Sequence, residues 1–190
     1  FKDAKPLSEV ANLPEYAGLL AEDVILIDVD EYEQSEKLMN IVEDLQLNCR
    51  VYATTRGKHF LFYGGNIDKC GTHLKLAVGI EADIKVGSHN SISVLKFDGK
   101  DRKIIYDIEP DEEYEPAPIW LTPVKTKVDF NNLESGDGRN QKLFNHILSC
   151  QGAELSNEEI KETITLLNQY VLPESLDQVE LDKILREDSF

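Results

Sequence analysis

The stretch that most constrains this chain is Val24-Ile25-Leu26-Ile27-Asp28-Val29-Asp30, an apolar run that closes on two carboxylates one residue apart. The apolar run predicts a strand fit for burial. Side chains at i and i+2 of a strand point the same way, so Asp28 and Asp30 are expected to project together from its end. Two like charges side by side cost free energy unless a cation compensates them. Mg²⁺ and Mn²⁺ prefer carboxylate oxygens, so the pair reads as part of a metal site. The alternative is a pair of acids in a solvated loop after a buried strand, and the pair alone does not separate the two.

Around this strand the periodicities alternate between two and 3.6. Residues 1–23 hold Pro6, Pro14 and Gly18 and support only short helical turns. Residues 31–47 predict an amphipathic helix with Leu38, Ile41, Val42 and Leu45 inward. Residues 50–54 and 59–63 predict a hairpin closed by Thr55-Arg56-Gly57-Lys58. Residues 75–78 and 82–86 are further strand candidates, and 91–95 with 103–106 predict a second hairpin around Asp98-Gly99. The acidic, proline-rich 107–118 is expected to be extended and exposed, with Trp120 and Leu121 closing the core of a first domain. Helices are then predicted over 139–150, from a capping box at Ser156-Asn-Glu-Glu159, and over 175–186. In the first of these, Leu143, Phe144, Ile147 and Leu148 are expected on one face. The expected division is a domain over 1–125, a linker over 126–137 and a helical module over 138–190.

Composition narrows the function classes. At 190 residues there is room for one domain with a core and a small helical appendage. No apolar run reaches the roughly 20 residues of a membrane span, and no membrane partner is expected. There is no leader pattern, and a start at Phe1 instead of Met suggests a piece of a longer protein. Three scattered cysteines, Cys49, Cys70 and Cys150, are no disulfide framework and suggest a reducing compartment. Cys70-Gly-Thr-His73 with Cys49 falls short of the four ligands of structural zinc. His89 and His146 belong to no pattern and read as surface or structural. A net charge of −16 speaks against a polyanion partner, yet residues 49–106 carry ten Lys or Arg against five Asp or Glu. A polyanion would meet this chain through its middle.

Three sites carry the chemistry: the pair Asp28 and Asp30 at the end of one strand, His59 after a basic turn, and Asp83 within Glu81-Ala-Asp-Ile-Lys-Val-Gly-Ser88. Two-metal phosphoryl transfer takes about three acidic ligands together with cationic or N–H donors for the phosphates. Asp28, Asp30 and Asp83 meet the first need, and Arg56, Lys58, His59 and the backbone at Gly57 the second.

An hhhDhD strand, a small-x-His strand and an hD strand, in that order, resemble the three-motif signature of the archaeo-eukaryotic primase superfamily. Ile25-Leu-Ile-Asp-Val-Asp30, Thr54-Thr-Arg-Gly-Lys-His-Phe-Leu-Phe62 and Gly79-Ile-Glu-Ala-Asp-Ile-Lys-Val-Gly-Ser88 look like its bifunctional primase–polymerase (prim-pol) branch from phages and mobile elements. Gly138-Arg-Asn-Gln-Lys-Leu-Phe144, Leu155-Ser-Asn-Glu-Glu-Ile160 and Leu167-Asn168 are similar to the helical primase C-terminal module. The stretch before the first motif is shorter than is usual in that branch.

The resemblance implies an α/β (α+β) fold, with an RNA-recognition-like catalytic sheet, packed helices and a small all-α C-terminal domain. It implies a template-dependent nucleotidyltransferase, a DNA primase or polymerase, acting in replication. Asp28, Asp30 and Asp83 match the Mg²⁺- or Mn²⁺-binding carboxylates, and His59 the histidine that contacts the phosphates of the incoming NTP or dNTP. Arg56, Lys58, Lys85 and Ser88 lie beside motif positions as triphosphate contacts, and Lys96 and Arg102 lie on the hairpin that follows. Single-stranded DNA template, a primer and a helicase are the implied partners, in the cytoplasm of a bacterial host. The competing readings are a metal-dependent nuclease or phosphoesterase, and a catalytically silent nucleic-acid-binding module of the same fold.

Overall fold

The computed structural model describes residues 4–134, 136 and 138–186. In chain order the elements are α1 (Leu7–Val10), β1 (Tyr16–Leu19), β2 (Val24–Val29), α2 (Tyr32–Asp44), β3 (Arg50–Ala53), β4 (Lys58–Tyr63), β5 (Gly71–Lys75) and β6 (Glu81–Val86), then β7 (Ile92–Phe97), β8 (Lys100–Asp101), β9 (Ile104–Tyr106), α3 (Arg139–Gln151), α4 (Asn157–Leu166) and α5 (Gln178–Ile184). The fold is mixed α+β, with antiparallel sheets and several helices. Two units emerge, one drawn from 1–32, 47–72 and 83–117, the other from 33–46, 73–82 and 118–190.

In the first unit β2 is a central strand, buried from Ile25 to Val29. It pairs antiparallel with β4 on one side and with Asp83–Val86 of β6 on the other. β3 lies beyond β4, and β9 beyond β3. The full strand order is β5-β6-β2-β4-β3-β9, and a smaller sheet has the order β1-β7-β8. One face of the larger sheet is a continuous apolar surface of Ile25, Ile27, Val29, Val51, Phe60, Phe62 and Ile84, all buried. The uninterrupted burial of β2 requires cover on both faces, which explains why its sequence does not alternate.

The second unit is built by the predicted helices. Leu38, Ile41 and Val42 of α2 are fully buried, whereas Leu45, one residue past the end of the helix, is exposed. The predicted capping box is present: Ser156 Oγ accepts from Glu159 N, and a Glu159 carboxylate oxygen accepts from Ser156 N. Arg139 fastens the start of α3 by donating to the Glu174 carbonyl at 2.9 Å and pairing with Glu180 at 3.4 Å. Asn168, in a wide turn after α4, bonds both backbone groups of Leu176. The stripe on α3 is narrower than expected, with Leu143 and Ile147 buried but Phe144 and Leu148 exposed.

Other boundaries shift as well. Strand β1 lies within the N-terminal stretch expected to hold only turns, paired to β7. The second hairpin is shorter than expected, because β7 turns back into β8 while 104–106 leaves as β9 to pair with β3. The expected linker holds the turn Phe130–Asn132, where Asp129 accepts from Asn131 N and Phe130 is fully buried; Ser135 and Asp137 of that stretch lie outside the described residues. Trp120 and Leu121 are buried as expected, but in the second unit. The C-terminal helices share that unit with α2 residues and 73–82. No helix among the described residues is long and apolar enough to cross a membrane.

His146 is fully buried, with Nε2 2.6 Å from the Ala77 carbonyl, Nδ1 without a partner, and its ring edge-on to Phe130. Burial holds its pKa below the usual 6.5, against the opposing pull of the Ala77 carbonyl. The folded chain therefore keeps the neutral ring, while the unfolded chain takes up a proton below that value. This stability is fully present above pH 6.5 and is lost as the pH falls. Urea midpoints should drop between about pH 7 and about pH 5, and less steeply in the non-titrating His146→Gln variant. Parallel profiles would show that His146 does not carry the dependence.

Candidate functional site

The register of the larger sheet makes the site. Asp28 of β2 stands directly opposite His59 of β4 and directly opposite Asp83 of β6. Tyr52 of β3 continues the row beyond His59. Residues paired across strands share a face, so Tyr52, His59, Asp28 and Asp83 form one line across four strands, on the face opposite Ile27 and Phe60. Three segments separated in sequence thus bring three of the predicted residues together. Asp30 lies one residue beyond the end of β2, so the two acids do not project from the strand as an equivalent pair.

Each carboxylate of the Asp-x-Asp pair has a side-chain cation. Lys85 Nζ is 2.8 Å from Asp28 Oδ2, and Arg56 is 2.6 Å from Asp30 Oδ2. His59 Nε2 stands 3.2 Å from Asp28 Oδ1, and that buried oxygen has no hydrogen-bond partner. Burial by itself would raise the pKa of Asp28. His59 and Lys85 outweigh it and hold the carboxyl down at about 2. The outer pair, by contrast, is largely solvated, with side-chain exposures of 72% for Arg56 and 51% for Asp30.

The remaining predicted residues are placed as follows. Lys58 precedes His59 on β4 and so takes the other face; it is buried, with Nζ 5.1 Å from the centre of the Tyr32 ring. Ser88 is exposed on the short turn Gly87–His89 after β6. Lys96 donates to the Ala11 carbonyl at 2.9 Å and faces the Tyr16 ring, away from the row. Arg102 is half-buried, and its Nε has no partner. One site residue was not foreseen. Ser93 is buried, with Oγ 3.3 Å from His59 Nδ1, and so sets the ring from its far side. In Ser91-Ile92-Ser93-Val94 hydropathy would turn the serines outward, and the sequence carries no signal against that.

A cavity of about 600 Å³ opens beside Asp83, and Thr72, Lys85, Asn90, Ser91 and Val94 are among its walls. Among the described residues, no group of three or more His, Cys, Asp or Glu is gathered closely enough to hold a metal ion by itself. The donors still suit a hard divalent cation. Asp28 and Asp83 are in register, and Asp28 Oδ1 is buried and without a hydrogen bond. Mg²⁺ is commonly held by one or two carboxylates plus substrate phosphates, not by a cage of protein ligands. The three cysteines are unpaired, and burial pushes the thiols of Cys49 and Cys150 up to about 12.

Comparison with models of known families, with curated proteins and with solved structures returned no match.

The turn that delivers His59 depends on Gly57. Its N–H donates to Thr54 Oγ1 at 2.9 Å, and its carbonyl accepts from Thr54 N at 3.0 Å. A Cβ at residue 57 would lie 1.9 Å from the Val29 carbonyl oxygen, inside the backbone of the strand that carries Asp28. Gly57→Ala should therefore cost about 3 kcal/mol in urea unfolding. A loss within about 0.5 kcal/mol would show that the turn can stand away from β2.

Proposed function

We propose that this row is the catalytic site of a template-dependent nucleotidyltransferase of the primase–polymerase kind. The observation that carries the reading is the alignment of His59, Asp28 and Asp83 on neighbouring strands, with Asp30 just past the end of the middle one. The order of motifs that resembles the archaeo-eukaryotic primase superfamily thereby becomes a single line of side chains. The strand order β6-β2-β4-β3, with α2 in the connection between β2 and β3, also agrees with an RNA-recognition-like sheet. A first domain over 1–125 and a helical module over 138–190 belong to the same reading.

In this mechanism Asp28 and Asp83, with Asp30 at the outer end, would hold Mg²⁺ or Mn²⁺, which would supply a lowered pKa at the attacking 3′-hydroxyl and neutralise charge on the phosphates. His59, oriented by Ser93 from behind, presents Nε2 to the incoming triphosphate. Arg56 adds a planar guanidinium suited to two phosphate oxygens. The partners are single-stranded DNA template, primer and NTP or dNTP, with a helicase alongside. The setting is a phage or mobile element in a bacterial cytoplasm.

The test is incorporation of rNTPs or dNTPs on a single-stranded template, with Mg²⁺ or Mn²⁺, with and without a primer. Wild type should extend or synthesise a strand, and Asp28→Asn or Asp83→Asn should reduce incorporation to background while unfolding remains cooperative. His59→Ala should weaken nucleotide binding more than DNA binding. Undiminished incorporation in the aspartate variants would overturn the assignment, and cleavage of the template without incorporation would favour a nuclease.

A further inference from the structure

The sequence places Lys85 beside a motif as a triphosphate contact, yet its Nζ lies 2.8 Å from Asp28 Oδ2. Resting on the nucleotidyl-transfer reading, we infer that Lys85 is an exchangeable counter-ion: it neutralises Asp28 in the ion-free protein, yields that carboxylate to a divalent cation, and passes its charge to the polyphosphate that arrives with the cation. The argument begins with burial. The Asp28 side chain is 9% exposed, and an ionised carboxylate at that depth needs a positive partner at all times. A divalent cation and the Lys85 ammonium therefore compete to neutralise the same carboxylate.

The displaced ammonium then needs an anion. The Lys85 side chain is 35% exposed, and it forms part of the wall of the 600 Å³ cavity that Asp83 also lines, so it has open space beside it. A triphosphate carries the charge that Lys85 would lack after leaving Asp28. Arg56 repeats the arrangement on Asp30, where high exposure of both partners makes the pair cheap to open. Nucleotide and metal thus strengthen each other's binding, and the coupling is reciprocal. Metal alone binds weakly, because it must expel Lys85 to no anion.

The measurement is Mn²⁺ affinity by electron paramagnetic resonance on the whole chain, with and without a non-hydrolysable nucleoside triphosphate. Wild type should bind Mn²⁺ weakly alone and tightly with the analogue. Lys85→Gln should bind Mn²⁺ alone about tenfold tighter or more, since an opposing charge has been removed from the site, and should lose most of the gain from the analogue. Lys85→Arg, which keeps the charge, should resemble wild type. Equal, weaker or undetectable Mn²⁺ binding by Lys85→Gln overturns the inference. A second measurement needs no variant: amine labelling of Lys85 in wild type, read by mass spectrometry, should rise with Mn²⁺ alone and fall again with the analogue. Labelling that ignores Mn²⁺ also overturns the inference. If Asp28→Asn abolishes incorporation while Lys85→Gln leaves Mn²⁺ affinity unchanged, the exchange is wrong and the nucleotidyl-transfer reading stands. If Lys85→Gln tightens Mn²⁺ binding while Asp28→Asn leaves incorporation intact, the exchange stands and that reading falls.

Discussion

An ionised carboxylate in the middle of a sheet must be compensated where it stands, and in this chain both of its partners come from neighbouring strands. Asp28 is faced by His59 from β4 and by Lys85 from β6. The register that brings them there also places Ile27, Phe60 and Ile84 on the apolar face. A slip of one residue in either pairing would turn an apolar side chain toward Asp28 and a polar one into the core. Core packing and site geometry are therefore one constraint, and the Gly57 turn and the Ser93 contact add precision to it.

The charge distribution takes on a different meaning once the ion pairs are known. The middle of the chain is basic by count, but Arg50, Arg56, Lys75 and Lys85 are engaged with Asp107, Asp30, Glu81 and Asp28. Counting cations in the sequence overstates the field offered to a polyanion, since counterion release depends on charges that meet phosphate and not on charges already neutralised. Where such pairs can open, the positive field is conditional on what else has bound.

What could be read from the sequence was whatever depends on local period. β2, α2, the β3–β4 hairpin, β6 and the capped α4 all follow from patterns a few residues long. Asp28, His59 and Asp83 were legible because each closes or interrupts an apolar strand. That Lys58 takes the other face was also contained in the sequence, because a neighbour of His59 in a strand faces the other way. Ser93, the departure of β9 to β3 and the Lys85–Asp28 pair were not legible, since each depends on pairings between distant segments. The split of α3 into buried Leu143 and Ile147 and exposed Phe144 and Leu148 shows the same limit. Periodicity gives the direction of an apolar stripe, and only the neighbours decide its width.

The interleaving of the two units has a consequence for how the chain is made. Segments 33–46 and 73–82 belong to a unit whose remaining part begins at residue 118. During synthesis they leave the ribosome well before the rest of that unit. Long-range closure of this kind slows folding and lengthens exposure to aggregation and to chaperones. A gene truncated near residue 125 would make a polypeptide that keeps these segments and lacks the helices α3, α4 and α5 of their unit. The unit that begins at residue 33 is thus complete only once the last third of the chain has been made.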